Sequence, residues 1–171
     1  MSDFGRCVTY LLMLGILAHF FGLILSHRHY HVDRFPWRSF SFEREGLFWD
    51  RALHVRRWMN RVPDMSRILP DMEPKRIDGI ARAEKIERLI RETCVAELIH
   101  NVLSLAGFGC VLIWRGAGGW VVSLLFGIGN APFSIIQRYN RPRLVRLHRW
   151  LLSREGSEAV HSNELAEANE L

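Results

Sequence analysis

Three polar side chains share one face of an apolar segment near the middle of the chain. Glu97, His100 and Asn101 stand at positions i, i+3 and i+4 of residues 95–114, so a helix places them one turn apart on the same side. Ionisable groups at membrane depth are costly, and they usually mark a functional site that faces the protein interior. A histidine beside an acid can take up and return a proton near neutral pH. This face therefore predicts a site of acid–base chemistry.

The same face also admits a structural and a metal-binding interpretation. Glu97 and His100 could form a polar contact between helices that only fixes their packing. A Glu-x-x-His pair is also half of a di-iron carboxylate site, but the sequence has neither the second such motif nor the additional glutamates. Three alternating histidines could also bind a metal, although an interfacial role after the first apolar run is favoured. They are His27, His29 and His31. No metal and no cofactor is predicted.

The elements that must position this face are apolar runs separated by charged residues. Hydrophobic residues make up 49% of the 171-residue chain, and they concentrate in residues 8–25, 95–114 and 120–136. Each run is close to the length of a helix that crosses a bilayer. The sequence predicts an all-α integral membrane protein, with about three transmembrane helices plus interfacial amphipathic helices. Residues 1–154 form a single membrane domain. The first run is predicted to be an uncleaved anchor rather than a signal peptide.

Residues 27–94 form a long amphipathic segment between the first two runs. It contains the aromatic and basic stretch Phe35-Pro36-Trp37-Arg38-Ser39-Phe40, whose residue types collect at the headgroup layer. Residues 46–60 are predicted to form a helix with an apolar side and a basic side, suited to the interface plane. Three prolines punctuate the loop that follows, and a polar helix from Asp78 is predicted to run directly into the second span.

The last third of the chain begins with a hairpin. Residues 115–119 are a glycine-rich turn, so the second and third spans are predicted to be antiparallel. Asn130 and Pro132 predict a local break in the third span, and Asn130 either serves only this kink or faces the active cavity. A basic helix for lipid attachment or donor binding follows to about Arg154. Residues 155–171 are predicted to be a disordered acidic tail.

The charge distribution indicates the partner and the orientation. The chain carries a net charge of +5 and lacks a nucleic-acid-binding signature, so the lipid bilayer rather than nucleic acid is the predicted partner. Fifteen Lys and Arg residues lie in residues 27–94 and six follow residue 136, whereas the N-terminus and the glycine turn hold one each. The positive-inside rule predicts a multi-pass cell-membrane protein with these two basic segments in the cytoplasm and its N-terminus outside.

Three blocks of residues, spread over roughly residues 35–143, resemble a known family. They are Phe35-Pro36-Trp37-Arg38 with Phe42-Glu43, Ala96-Glu97-Leu98-Ile99-His100, and Asn130-Ala131-Pro132 continuing into Gln137-Arg138-Tyr139-Asn140-Arg141-Pro142. In order and spacing they resemble the glycosyl-4,4'-diaponeurosporenoate acyltransferases, small membrane enzymes of staphyloxanthin-type carotenoid biosynthesis. The third block is the most specific of the three.

The resemblance implies an enzyme that transfers a fatty acyl group to a sugar hydroxyl, the primary 6-position, of a glycosylated carotenoid acid. Met59 stands where the family usually has a basic residue, so another glycolipid is an alternative acceptor. The acyl donor, such as acyl-CoA or acyl-carrier protein, is expected as a co-substrate. A non-enzymatic alternative is an accessory membrane protein whose arginine-rich faces dock a partner or lipid.

Acyl transfer to a hydroxyl requires a base for the proton and hydrogen-bond donors for the developing oxyanion. His100 is the predicted catalytic base, and Glu97 is the predicted acid that orients its ring. The sequence has no Gly-x-Ser-x-Gly elbow and no Cys/His signature, so direct attack by the hydroxyl is expected rather than a covalent acyl-enzyme.

The predicted substrate-binding residues come from the same blocks and from the arginines after the third span. Asn101, Asn130 and Arg138 are candidate donors to the oxyanion or the sugar. Arg138, Arg141 and Arg143 could hold a phosphate of the acyl donor or a lipid headgroup. The full predicted set is Asn101, Asn130, Arg138, Tyr139, Asn140, Arg141, Trp37 and Arg38.

Overall fold

The computed structural model describes residues 1–26, 28–62 and 79–169. His27 and the proline-punctuated loop predicted after residue 62 lie outside the described residues, as does the predicted helix start at Asp78. The α-helices are α1 (Asp3–Leu25), α2 (Leu47–Leu53), α3 (Val55–Trp58), α4 (Gly79–Ala106), α5 (Gly109–Ile113) and α6 (Ala117–Asn169). Two 3₁₀ turns, Ser41–Gly46 and Met59–Arg61, flank α2 and α3.

Three helical stretches are long and apolar enough to cross a membrane. They are Asp3–Leu25, Ala83–Ile113 and Ala117–Arg154. The predicted all-α membrane architecture with three spans is therefore confirmed. The helices extend beyond the apolar runs because charged residues such as Glu, Lys and Arg are themselves good helix formers. The polar helix before the second span continues into it without interruption, as predicted.

α1 packs antiparallel to α4 and exposes most of its large apolar side chains, which suits contact with lipid. Its N-terminus is capped by Ser2, whose hydroxyl accepts from the Gly5 N–H at 3.2 Å. The Tyr10 hydroxyl donates to the Ala106 carbonyl at 2.8 Å, close to where α4 ends. This bond satisfies one of the carbonyls that a helix end leaves without a backbone partner.

α4, α5 and α6 form the predicted antiparallel hairpin around the glycine-rich turn. Gly116 adopts φ +108° in this turn, a conformation that glycine tolerates best. The Ser123 hydroxyl donates to the Gly107 carbonyl at 3.1 Å and joins the two arms near the turn. At the other end of the hairpin, Ala83 and Ile86 of α4 pack in a small core with Leu151 of α6.

α6 differs from its prediction in two ways. The helix continues through Pro132 and Pro142, whereas the sequence predicts a local break at the first of these prolines. A proline removes one backbone hydrogen bond, and packing along α4 keeps the remainder of the helix together. The helix also continues to Asn169, beyond the predicted end of the basic helix at about Arg154. The residues after Arg154 are rich in Ala, Glu and Leu, and extending a helix requires no new nucleation.

Residues 28–62 fold against the end of the hairpin where α1 ends. The helix predicted over residues 46–60 is divided at His54, which adopts φ +50°. Gly46 has φ +91°, and a Cβ at this position would lie 2.9 Å from the Tyr139 carbonyl oxygen. Only glycine permits this close approach to α6 without strain, so Gly46 fixes how the segment docks.

Candidate active site

The site is built on the facing sides of α4 and α6. Every residue of the predicted polar face of α4 bonds to α6: Glu97 to Arg138, His100 to Asn130, and Asn101 to Ser134. On α6 the partners recur at positions 130, 134, 138 and 141, one helical turn apart. The prediction that Glu97, His100 and Asn101 share one inward face is therefore confirmed.

Arg138 lies at the centre of a buried cluster of charges. Its guanidinium forms a two-point contact with Glu43, with Nε 2.5 Å from Oε1 and Nη2 2.9 Å from Oε2. Nη1 donates to Glu97 Oε1 at 2.6 Å. The Pro36 and Arg38 carbonyls accept its two remaining N–H groups, each at 3.2 Å. All five guanidinium donors of Arg138 are therefore used within the protein.

Arg141 extends the cluster along α6 toward the segment of residues 28–62. Its Nη2 donates to Glu97 Oε2 at 2.5 Å and to the Thr93 carbonyl at 2.9 Å. Nε donates to the Thr93 hydroxyl at 3.0 Å, and Nη1 donates to the Trp37 carbonyl at 3.0 Å. The Trp37 indole in turn donates to the Cys94 carbonyl at 3.1 Å, so α4, α6 and the docked segment are joined at this point.

The four charged groups, Glu43, Glu97, Arg138 and Arg141, balance one another. Their side chains are 1%, 5%, 12% and 4% exposed, respectively. Two carboxylates and two guanidiniums sum to zero charge, and this neutrality makes their burial tolerable. The donors of Arg138 and Arg141 are thus bonded to the protein itself, and the substrate-binding role of these two residues stays a prediction.

Glu43 is the site residue that the chemical argument from the sequence missed. It occurs in the first block of the resemblance but has no histidine within ten residues in the chain. Its carboxylate also accepts from the Phe40 N–H at 2.8 Å and from the Trp49 indole at 3.0 Å. The available signal was an acid placed among aromatic and basic residues, which does not by itself predict burial.

His100 is held by two residues of α6. Its Nδ1 lies 2.8 Å from Asn130 Oδ1, and its ring stacks on Phe133 with a centroid distance of 4.5 Å and an interplanar angle of 11°. The Asn130 side-chain N–H donates to the Phe126 carbonyl at 2.9 Å. A carbonyl only accepts, so this bond fixes which end of the amide meets the ring. Nδ1 must therefore carry a hydrogen, which leaves Nε2 as the acceptor.

The predicted contact between Glu97 and His100 is not formed. Both carboxylate oxygens of Glu97 are engaged by arginines, and Asn130 takes the predicted place of Glu97 beside the ring. A carboxylate bonds more strongly to guanidinium than to a neutral imidazole, and two arginines face it across the helix pair. Asn130 therefore faces the site, one of the two roles that the sequence left open.

The other predicted residues lie around this core. The Asn101 side-chain oxygen accepts from the Ser134 hydroxyl at 2.8 Å. Tyr139 is 2% exposed and lies under the Arg143 guanidinium, 3.4 Å from the ring centroid, on a different side of α6 from Arg138. Asn140 makes no side-chain hydrogen bond to the described part of the chain. The structure therefore does not bring Tyr139 and Asn140 to His100.

An open cavity of about 340 Å³ lies beside the cluster, between the docked segment and the end of the hairpin. Trp37, Phe40 and Arg38 line it on one side, and Arg141 and Val145 line it on the other. Within the described ranges, no group of three or more His, Cys, Asp or Glu side chains is arranged to hold a metal ion.

Comparison with known proteins identifies the family. The sequence profile of glycosyl-4,4'-diaponeurosporenoate acyltransferase matches residues 26–149. Proteins of that name from Staphylococcus aureus strains bovine RF122 / ET3-1 and N315 are 31% identical over 153 residues, which cover 88% of this chain and 90% of theirs. No solved structure matches the chain. The chain belongs to the glycosyl-4,4'-diaponeurosporenoate acyltransferase family, and it is an acyltransferase with helices suited to a membrane.

Proposed function

We propose that the protein transfers a fatty acyl group from a thioester to a sugar hydroxyl of a glycosylated carotenoid or a related glycolipid. The reaction takes place at the cytoplasmic interface of the cell membrane. The observation that carries this proposal is the bond between His100 Nδ1 and Asn130 Oδ1 at 2.8 Å, inside a chain of an acyltransferase family. The names of the Staphylococcus aureus relatives support a glycosylated carotenoid as acceptor.

The geometry supports His100 as the general base. Asn130 holds the ring in the tautomer that has its free lone pair on Nε2, and Phe133 holds the ring plane. An asparagine orients the catalytic histidine in the same way in papain-like Cys-His-Asn sites. A neutral imidazole with a free lone pair on Nε2 can accept the proton of a hydroxyl group.

The reaction is a direct displacement in which His100 first accepts and then returns one proton. The sugar O–H gives its proton to Nε2 while its oxygen forms a bond to the thioester carbonyl carbon. The C–S bond then breaks, and the thiolate leaves with the proton from the imidazolium. The products are a sugar ester and a free thiol. No oxidant, reductant or covalent enzyme intermediate is required.

The buried cluster serves the reaction by holding the two helices in register. Arg138 and Arg141 bond to Glu97 one turn before His100, and they join the same turn of α4 to residues 36–43. Small displacements of a base from its substrate slow a reaction strongly, so a fixed helix pair favours catalysis. Glu97 is therefore a positioning residue in this proposal and not the partner of the imidazole.

The test is expression with a pathway that makes a glycosylated carotenoid, followed by mass spectrometry of the pigment. The unaltered chain should add the mass of an acyl chain, and His100→Gln should abolish this addition. His19→Gln is the matched control because His19 lies in α1, exposed on the helix surface, with its ring against the neighbouring Phe20. Acylation that persists in His100→Gln, at the same level as in His19→Gln, would disprove the mechanism.

The second half of the test concerns orientation of the ring. Asn130→Leu removes the hydrogen-bond acceptor for His100 Nδ1. The rate of acyl transfer should therefore fall by about tenfold to a hundredfold, while binding of the glycosylated substrate is kept. Equal rates for Asn130→Leu and the unaltered protein would mean that Asn130 is only a packing residue.

A further inference from the structure

The cavity beside the charge cluster contains arginines that the fold does not neutralise. Arg38 and Arg44 line it, and neither guanidinium has a hydrogen-bond or ion-pair partner in the described part of the chain. Two further arginines on its α6 wall are paired at the surface. Arg146 lies 2.5 Å from Glu45, and Arg149 lies 3.4 Å from Asp33.

The charges of this cavity favour an anion. Among the described residues that line it, four arginines and two carboxylates leave a net charge of +2, apart from Arg141, which Glu97 already balances. The two surface pairs are between 58% and 81% exposed, so they contribute little energy and can exchange partners readily. An entering anion would therefore meet two free guanidiniums and two weakly held ones.

The backbone presents these arginines in fixed positions. The carbonyl of Arg38 accepts from Arg138, which ties the base of its side chain to the buried cluster. Arg44 adopts φ +45°, and Gly46 two residues later is held against α6. A non-glycine residue at positive φ is strained, and such strain is often found at ligand sites.

We propose that this cavity binds the phosphate of the phosphopantetheine arm that carries the acyl thioester. This inference rests on the proposed function, which needs an activated acyl donor. Arginine forms two-point bonds with phosphate oxygens, and Ser39 and Ser41 add hydroxyl donors to the lining. The sequence predicts a phosphate-binding role for Arg138 and Arg141, but their guanidiniums are already bonded within the protein, so the arginines of this cavity are better placed to bind a phosphate.

The distance along α6 suits such an arm. Arg141, at the cavity, is eleven residues from Asn130, which holds His100. Eleven residues of α-helix extend about 16 Å, a length similar to that of an extended pantetheine chain. With its phosphate in the cavity, the arm can therefore present its sulfur near His100, while the acyl chain enters the apolar region.

The test is direct binding of non-transferable probes to the full chain in phosphatidylcholine nanodiscs. S-octyl phosphopantetheine should bind at least tenfold more tightly than S-octyl pantetheine, which lacks the phosphate. The double variant Arg38→Gln/Arg44→Gln should lose this difference. Arg56→Gln/Arg57→Gln is the charge-matched control because both arginines are exposed outside the cavity, and it should retain the difference. Equal binding of both probes, or an equal loss in Arg56→Gln/Arg57→Gln, would overturn the proposal.

Further binding experiments distinguish the possible sources of the phosphate. Tighter binding of S-octyl coenzyme A than of S-octyl phosphopantetheine would support coenzyme A as the acyl donor. Tighter binding of an S-octyl carrier protein than of S-octyl phosphopantetheine would support an acyl-carrier protein as the donor. If phosphatidylglycerol in the nanodiscs abolishes the preference for the phosphate probe, the cavity is a lipid headgroup site and the proposal is wrong. Because the probes cannot react, this binding test is independent of catalysis. Binding of the phosphate probe by a protein that fails the pigment acylation assay would refute only the proposed reaction.

Discussion

Replacing Glu97 by glutamine is expected to destabilise the protein more than it harms the chemistry. The substitution removes one of the two carboxylates that neutralise the buried cluster. Arg138 keeps its two bonds to Glu43, but Arg141 loses the only carboxylate partner it has among the described residues, while its side chain is 4% exposed. Breaking a buried pair in this way costs about 3–5 kcal/mol, because it leaves an uncompensated charge.

The double variant Glu97→Gln/Arg141→Gln provides the internal control. It removes one charge of each sign and leaves the pair of Glu43 and Arg138 intact. The sum of the two single losses should therefore exceed the loss in the double variant by about 1–3 kcal/mol. Glu92→Gln on the same helix should cost less than about 1 kcal/mol, because its partner Arg88 is 76% exposed.

The assay is equilibrium unfolding by denaturant in mixed micelles, with helix content as the measured signal. Acyl transfer by the folded fraction is measured in parallel. Glu97→Gln should unfold at a lower denaturant concentration than the unaltered protein, and its folded fraction should retain more acyl-transfer activity than that of His100→Gln. Strictly additive losses in the double-mutant cycle would refute the neutral-cluster argument. Full stability of Glu97→Gln together with complete loss of transfer would return Glu97 to a direct catalytic role.

Three further predictions test the docking of the segment, its sidedness and its pH response. Gly46→Ala should destabilise the fold by about 1–3 kcal/mol, because it combines φ +91° with a close approach to α6, whereas Gly127→Ala, with no neighbour within 4 Å, should be tolerated in the same unfolding assay. A membrane-impermeant thiol reagent should label Ala52→Cys only from the cytoplasm and Ala117→Cys only from outside; the reverse pattern would invert the proposed orientation. Burial raises the pKa of Tyr30, so the stability that its neutral phenol contributes is present below about pH 10 and is lost as the pH rises through the folded pKa; Tyr30→Phe should remove this alkaline step from the unfolding profile.

The spans and the inward face could be predicted because they depend on local periodicity. Apolar runs indicate the spans, and the spacing of Glu97, His100 and Asn101 places them on one side of α4. The continuation of α6 through Pro132 could not be predicted in the same way, since packing against α4 offsets the missing backbone bond. The extension of α6 from Arg154 to Asn169 could not be predicted from polarity, because it depends on the helix propensity of Ala, Glu and Leu and on continuity with the preceding helix.

The pairing of the charged and polar groups could not be predicted because the partners are far apart in sequence. Glu43 and Arg138 are separated by 95 residues, and His100 and Asn130 by 30. Spacing along one helix indicates which residues share a face, but it does not say what lies opposite. Spacing alone therefore pairs Glu97 with its neighbour on the same helix, whereas arginines from α6 offer it stronger bonds.

The chain order of the buried cluster has a consequence for biogenesis. Both carboxylates, Glu43 and Glu97, precede both arginines, Arg138 and Arg141, so the ribosome completes the acceptors before the cations emerge. When α6 is released, its two positive groups meet counterions that are already present at the membrane. Without docked residues 41–46 the buried cluster would hold one guanidinium in excess, so docking of this segment is required for the neutrality of the cluster.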